Sequence, residues 1–241
     1  MPKTKESNLL PPREFQDMAS DDFYYGGTGQ AQIDFFRSKT NNYDLIDNAT
    51  KEQSEAFKKW ARGYFMHGQQ YDGWDNMNNY DKKLTQIYDE MLDKSVLSQG
   101  VVVARFSNAQ LVLGKGNSLP SLESLQAMEG KTIISSGHMS TGVAREGLRI
   151  GQRGKNVQYK IHIPSGSKGA GMWIGDQKIN NWEARQREFM VNRNTAFRVG
   201  KTTYDRMHRI YNVDLYYVGR MKHDYGTSGK LSGSLESYNR L

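Results

Sequence analysis

The chain has no cysteine among its 241 residues. That excludes disulfides, thiol nucleophiles and Cys-ligated zinc or iron–sulfur centres. No apolar run approaches the roughly 18 residues that a membrane span needs. The N-terminus MPKTKESNLLPPREF also lacks the apolar core of an export signal. The expectation is a soluble protein with no membrane partner. It would fold without oxidation in the cytoplasm of a bacterial host cell, or be delivered into one by a virion. Common site motifs are missing too. Gly130-Lys131-Thr132 ends like a phosphate-binding loop, but Leu125 stands where that loop needs glycine. No G-x-G-x-x-G follows a strand. The five histidines (67, 138, 162, 208 and 223) form no H-E-x-x-H or H-x-E pattern, so no metal is expected. No G-x-S-x-G elbow marks a serine nucleophile, and no fixed-period repeat occurs.

Charge is present, and it is uneven. The net charge is +7, yet residues 1–100 carry 12 basic and 16 acidic side chains, while residues 101–241 carry 21 and 10. The C-terminal part therefore looks built to meet an anion: a nucleotide, a nucleic acid or an acidic protein surface. A chain of this length is one large domain or two small ones.

Residues 1–45 are polar, with an aromatic cluster at Phe23, Tyr24 and Tyr25, and read as an N-terminal arm or loosely packed lead-in. A helix is predicted over 50–67. Thr50 and Gln53 form a capping box, and Phe57, Trp60, Ala61, Tyr64 and Phe65 share a face. A second helix is predicted over 81–93, where Leu84, Ile87, Tyr88, Met91 and Leu92 repeat at three- and four-residue steps. Both stripes read as core. From residue 100 the period changes to short apolar runs: 101–103, 111–113, 132–134, 159–163, 172–174, 189–191, 196–199 and 215–218. Gly, Asn and Ser punctuate them, which is the pattern of short strands. One helix interrupts, from a cap at Ser118 through Leu122, Leu125 and Met128 to Gly130. Helices first and strands afterwards argue α+β. Residues 221–241 read as a flexible tail.

Several strand-associated pieces follow in order. Val101-Val102-Val103-Ala104-Arg105 places an arginine at the end of an apolar strand. His138-Met139-Ser140-Thr141-Gly142 comes just after the strand starting at Thr132. Then come Ile163-Pro164-Ser165-Gly166-Ser167-Lys168-Gly169 and Gln186-Arg187-Glu188-Phe189-Met190-Val191. The order Arg, Ser-Thr, Gln-x-Glu resembles the R-S-E class of mono-ADP-ribosyltransferases, the toxin fold of clostridial exoenzymes and of the pierisin-like type. The resemblance spans residues 46–220, the expected catalytic domain. It implies two packed, mostly antiparallel sheets around a cleft for NAD+, which is the co-substrate. Phe106 stands where the family often has glycine, and Gly142 where it often has serine.

The resemblance also implies roles, and each has a physical rationale. The bond to break joins ribose to a nicotinamide that already carries positive charge, so the leaving group needs no proton. The enzyme must instead stabilise an oxocarbenium-like sugar. Glu188, hydrogen-bonded to a ribose hydroxyl, takes that role. Arg105 offers a fork of donors to the diphosphate or ribose. Ser140 would hydrogen-bond Glu188 and orient it, and Thr141 supports the strand beside the cofactor. Gln186 would orient the acceptor group. Trp182 is placed either to stack on substrate or to pack in the core.

Gln-x-Glu in this family accompanies asparagine acceptors in one branch and guanine bases in another. Gln186 therefore argues against an arginine acceptor without choosing between protein and nucleic acid. The basic C-terminal part, with Arg185 and Arg187 flanking Gln186, tilts the expectation toward RNA or DNA. The alternatives are ADP-ribosylation of a protein side chain, hydrolysis of NAD+ to water, and a non-catalytic nucleic-acid-binding or virion protein on the same fold. Expected partners are the nucleic-acid or protein acceptor and, for a toxin of this kind, an antitoxin or inhibitor. Settings in keeping with it are toxin, phage-encoded modifier or defence effector.

Overall fold

The computed structural model describes residues 29–61, 77–114, 120–142, 156–174, 188–223 and 231–232. Four helices come first: α1 (Gly29–Lys39), α2 (Asn42–Asp47), α3 (Lys51–Ala61) and α4 (Asn79–Leu92). The capping box read from sequence starts α3. The Gln53 side chain accepts from the Thr50 amide at 2.8 Å, and the Thr50 hydroxyl accepts from the Gln53 amide at 3.2 Å. The rest of the helix predicted to residue 67 lies outside the described residues. Helix α4 starts at Asn78, whose side chain accepts from the Asp81 amide. Its predicted stripe is buried at Leu84, Tyr88, Met91 and Leu92.

The segment expected as a lead-in ending at residue 45 contains all of α1 and most of α2. Phe36 of α1 is fully buried, stacked on Trp173 at 4.4 Å and 4°. The first layer of the core therefore begins ahead of that boundary.

The strands are β1 (Val101–Ser107), β2 (Thr132–Ser135), β3 (Met139–Gly142), β4 (Val157–Ile163), β5 (Gly171–Trp173), β6 (Glu188–Val191), β7 (Thr195–Asp205) and β8 (Ile210–Arg220). They form one sheet in the order β2-β7-β8-β4-β1-β3-β6-β5. Among the described residues, only β4 and β8 pair in parallel. A separate two-stranded ribbon, β9 (Lys222–His223) with β10 (Leu231–Ser232), lies in the segment read as a tail. The fold is α+β with a mostly antiparallel sheet, but the expected pair of packed sheets is replaced, among the described residues, by one continuous sheet. The cause lies in β1. Along seven positions it pairs with β4, and through the single pair Ala104↔Gly142 it also pairs with β3. One shared strand thus joins the two halves.

Burial explains which runs became strands. On β4 the alternate residues Val157, Tyr159, Ile161 and Ile163 are all fully buried, the period of a sheet with one face on the core. Strands β5 and β6 are buried on both faces. Trp173, Phe189 and Val191 face the main core with Phe36, while Met172, Met190 and Ile174 pack with Phe57, Tyr88 and Met91 of α3 and α4.

Three expectations are corrected. The run 111–113 belongs to a helical turn, α5 (Gln110–Leu113), instead of a strand. The Asn108 side chain accepts from the Gln110 amide, and Gly114 at φ +85° ends the turn. Three apolar residues cannot signal their own period. The helix before Gly130 is shorter than predicted: α6 (Leu122–Gln126) is capped at Ser121 by a reciprocal pair with Ser124. The Ser-Thr segment, read as following a strand, is itself strand β3. Small residues gave it no apolar pattern.

Candidate functional site

Register brings two of the proposed residues together. On β3 and β6, Ser140 pairs with Met190 and Gly142 with Glu188. Residues opposite one another share a face, and so do positions two apart. Ser140 and Glu188 are therefore diagonal neighbours on one face of the sheet, about 7 Å apart by sheet geometry. Met190, on that same face, packs in the cluster under α3 and α4, so the glutamate points to the side that α4 covers. Glu188 is buried, with 5% of its surface exposed.

Thr141, on the other face, is fully buried, and its hydroxyl donates to the Phe189 carbonyl at 2.5 Å. That bond fastens β3 to β6 next to the Glu188 position. Arg105 is half-buried near the end of β1, and its Nη1 donates to the Ser140 carbonyl at 2.9 Å. Arg105, 35 residues before Ser140, thus touches the backbone of the serine strand, and Ser140 lies diagonal to Glu188, 48 residues further on. Arg105 also lies opposite Tyr159 of β4. Burial pushes the Tyr159 phenol up, with Arg105 opposing, and its hydroxyl donates to the Asn108 carbonyl at 2.8 Å. Trp182, Arg185, Gln186 and Arg187 lie outside the described residues.

Sequence reading missed a group behind this site. Asp89 of α4 is fully buried and receives His138 Nε2 on Oδ1 at 2.9 Å and Arg193 Nε on Oδ2 at 2.6 Å. Arg220, at the end of β8, lies 4.0 Å from Asp89, pairs with Asp93, and donates to the Arg193 carbonyl at 3.1 Å. Burial alone would raise the Asp89 carboxyl. Arg193, His138 and Arg220 outweigh it and hold the group well below the usual carboxylate range. For His138 burial wins over the attraction of Asp89, and its pKa falls below the ordinary histidine value. One signal was there to read. Asp89 follows Tyr88 directly and sits four residues after Thr85 and three before Leu92, so it falls on the buried side of a helix. Among the described residues, no three His, Cys, Asp or Glu side chains gather as a metal site would require.

Residues 39–216, well over half of the chain, match the ADP-ribosyltransferase exoenzyme family. The chain belongs to that family. It is an NAD+ ADP-ribosyltransferase, in agreement with the order of motifs in its sequence. Solved structures share the fold at low identity. C3stau2 from S. aureus, determined with NAD, is 13% identical with a TM-score of 0.62, over 81% of this chain and 98% of that one. The C3 exoenzyme of Clostridium limosum is 13% identical with a TM-score of 0.62, over 80% and 96%. The enzymatic component C2-I of the C2-toxin from Clostridium botulinum reaches a TM-score of 0.63 at 15% identity, over 83% of this chain and 49% of that one. No curated protein matches the sequence significantly.

Proposed function

We propose that this mono-ADP-ribosyltransferase moves ADP-ribose from NAD+ to a base of RNA or DNA, using Glu188, Ser140 and Arg105. The residues present suit NAD+ by their chemistry. Arg105 brings a planar cation to paired phosphate oxygens. Ser140 and Glu188, on one sheet face, bring a hydroxyl and a carboxylate to a ribose. Glu188, held in a largely buried position, lowers the energy of positive charge developing on the sugar, where a low-dielectric surrounding strengthens its effect. Ser140 orients that carboxylate, Thr141 fixes the strand, and Gln186 holds the acceptor. In the reaction the C1′–N bond to nicotinamide breaks and its electron pair leaves with the ring, which becomes neutral. The acceptor nitrogen forms the new bond to C1′ and gives up a proton.

The observation that carries the choice of acceptor is charge. Residues 101–241 hold 21 basic against 10 acidic side chains. Part of this excess is exposed at the β7–β8 turn, where Arg206 and Arg209 flank Met207, itself 86% exposed. Tyr204 and Tyr211 stand beside them with rings 4.7 Å apart. Cations interleaved with aromatic rings suit a phosphate backbone with unstacked bases.

The test is label transfer from radiolabelled NAD+ into whole bacterial lysate, with a Glu188→Gln protein as blank. Label that disappears on nuclease digestion and survives protease supports the reading. Label that survives nuclease and disappears with protease rejects the nucleic-acid acceptor in favour of a protein side chain. Free ADP-ribose alone identifies a hydrolase.

A further inference from the structure

The buried ionic group around Asp89 is unused by the chemistry above, yet it is attached to both strands that carry it. His138 stands two residues before Ser140, and Arg193 two residues after the end of β6, the strand that begins at Glu188. Because β3 and β6 are antiparallel, with Met139 opposite Val191, His138 and Arg193 emerge side by side at one end of the pair. Asp89 receives one on each carboxylate oxygen.

We propose that Asp89 is a positioning residue of the transfer reaction, which through His138 and Arg193 fixes the register of β3 against β6 and so the placement of Ser140 beside Glu188. This rests on the reading of Ser140 and Glu188 as the reacting-site pair. The argument is geometric. Slipping the pair by one residue would send Ser140 and Glu188 to opposite faces. Strands of four residues with Ser, Thr and Gly on one of them hold register weakly through packing alone. A carboxylate gripping both strand ends supplies what packing does not. The neighbouring residue reinforces this. Tyr88 lies edge-on to the His138 ring at 5.0 Å and sits close enough to Glu188 to feel its charge. One turn of α4 therefore braces the serine strand and the glutamate strand together. A buried ion pair seldom adds stability over an apolar substitute, and specifying register is its best-attested use.

The experiment compares full-length His138→Phe and His138→Gln with the wild type and with Glu188→Gln. Steady-state nicotinamide release is measured as a function of NAD+, well below each protein's unfolding midpoint. His138→Phe keeps the ring against Tyr88 but loses the donor to Asp89. Its kcat is expected to fall about tenfold or more, with KM for NAD+ within about twofold, because the site is misplaced and not emptied. His138→Gln retains an N–H that reaches the carboxylate, and its kcat should stay within about threefold of wild type. A merely stabilising role would move both midpoints and leave kcat of the folded protein alone. If His138→Phe does not fold, His138→Asn, whose shorter amide stops short of Asp89, takes its place with the same expectation. A folded variant lacking the donor but turning over at the wild-type kcat overturns the inference, provided Glu188→Gln is inactive. An active Glu188→Gln overturns the site reading itself, and this inference with it.

Discussion

Arg105 donates to the carbonyl of Ser140 at 2.9 Å, so the cation proposed for the diphosphate is oriented by the strand that carries the serine. Arg105→Lys keeps the charge and loses the planar fork. Affinity for NAD+ is expected to weaken by about 1.5–3 kcal/mol, the range for a hydrogen bond to a charged group. Calorimetric titration of both proteins checks this, and equal affinities would remove Arg105 from the diphosphate. His138 gives a second residue-scale expectation. Its pKa in the fold lies below the ordinary 6.5 because it is buried. As pH falls through 6.5 the unfolded chain takes up a proton at this position before the folded chain does, so folding stability declines until the lower, folded pKa is passed. Asp89 behaves differently. Its depressed pKa contributes stability that is complete above the ordinary carboxylate value of 3.8 and is lost only below it. Unfolding midpoints measured between about pH 7.5 and 5.5 should therefore drop in the wild type and drop less in His138→Gln. Parallel curves would show that His138 is not the group responsible.

Strand β5 lies close against β6, and Gly171 is the reason it can. A Cβ there would stand 2.2 Å from the Met190 carbonyl oxygen and 2.6 Å from the Phe189 ring. Gly171→Ala must push β5 away from the strand that carries Glu188, with an expected loss of about 1–3 kcal/mol in stability, the usual cost of overpacking. Nicotinamide release should fall as well. Denaturant unfolding together with turnover checks both, and an unchanged midpoint would contradict the close approach. Elements with their own period were legible in the sequence. The stripe of α4 and the run from Tyr159 to Ile163 announced themselves because burial on one face writes its period into the residues. Strand β3 was not legible as a strand, since Ser140, Thr141 and Gly142 owe their conformation to β6 and β1. Leu111–Leu113 misled for the converse reason: apolar content without enough length to show a period. Arg105, Ser140 and Glu188 could be named from their order in the chain, whereas Asp89 gained its importance only when α4 was laid across β3 and β6.

At the scale of the whole molecule, the β7–β8 turn extends past the same edge of the sheet as the end of Arg105's strand. Ser107 is opposite Val157, Val157 opposite Tyr211, and Tyr211 opposite Tyr204, which places the basic tip just beyond that row. If a nucleic acid is the acceptor, Arg206→Glu with Arg209→Glu should cut label transfer sharply at low salt. Hydrolysis of NAD+ to water should stay near wild type. Raising salt from about 50 to 200 mM should reproduce that split in the unaltered protein, because phosphate contacts release counterions. Transfer and hydrolysis falling in parallel would argue against an acceptor bound by charge. Synthesis imposes an order on the same molecule. Asp89 precedes its partner Arg193 by 104 residues, and Asp93 precedes Arg220 by 127. At roughly 5–20 residues per second, Asp89 and Asp93 wait on the order of 5–25 s before these cations are made. Until then Asp89 has only His138 among its partners, and burial of its charge is not compensated. The nascent chain therefore holds α4 and the serine strand for some time before the glutamate strand and the two arginines that complete the buried group exist.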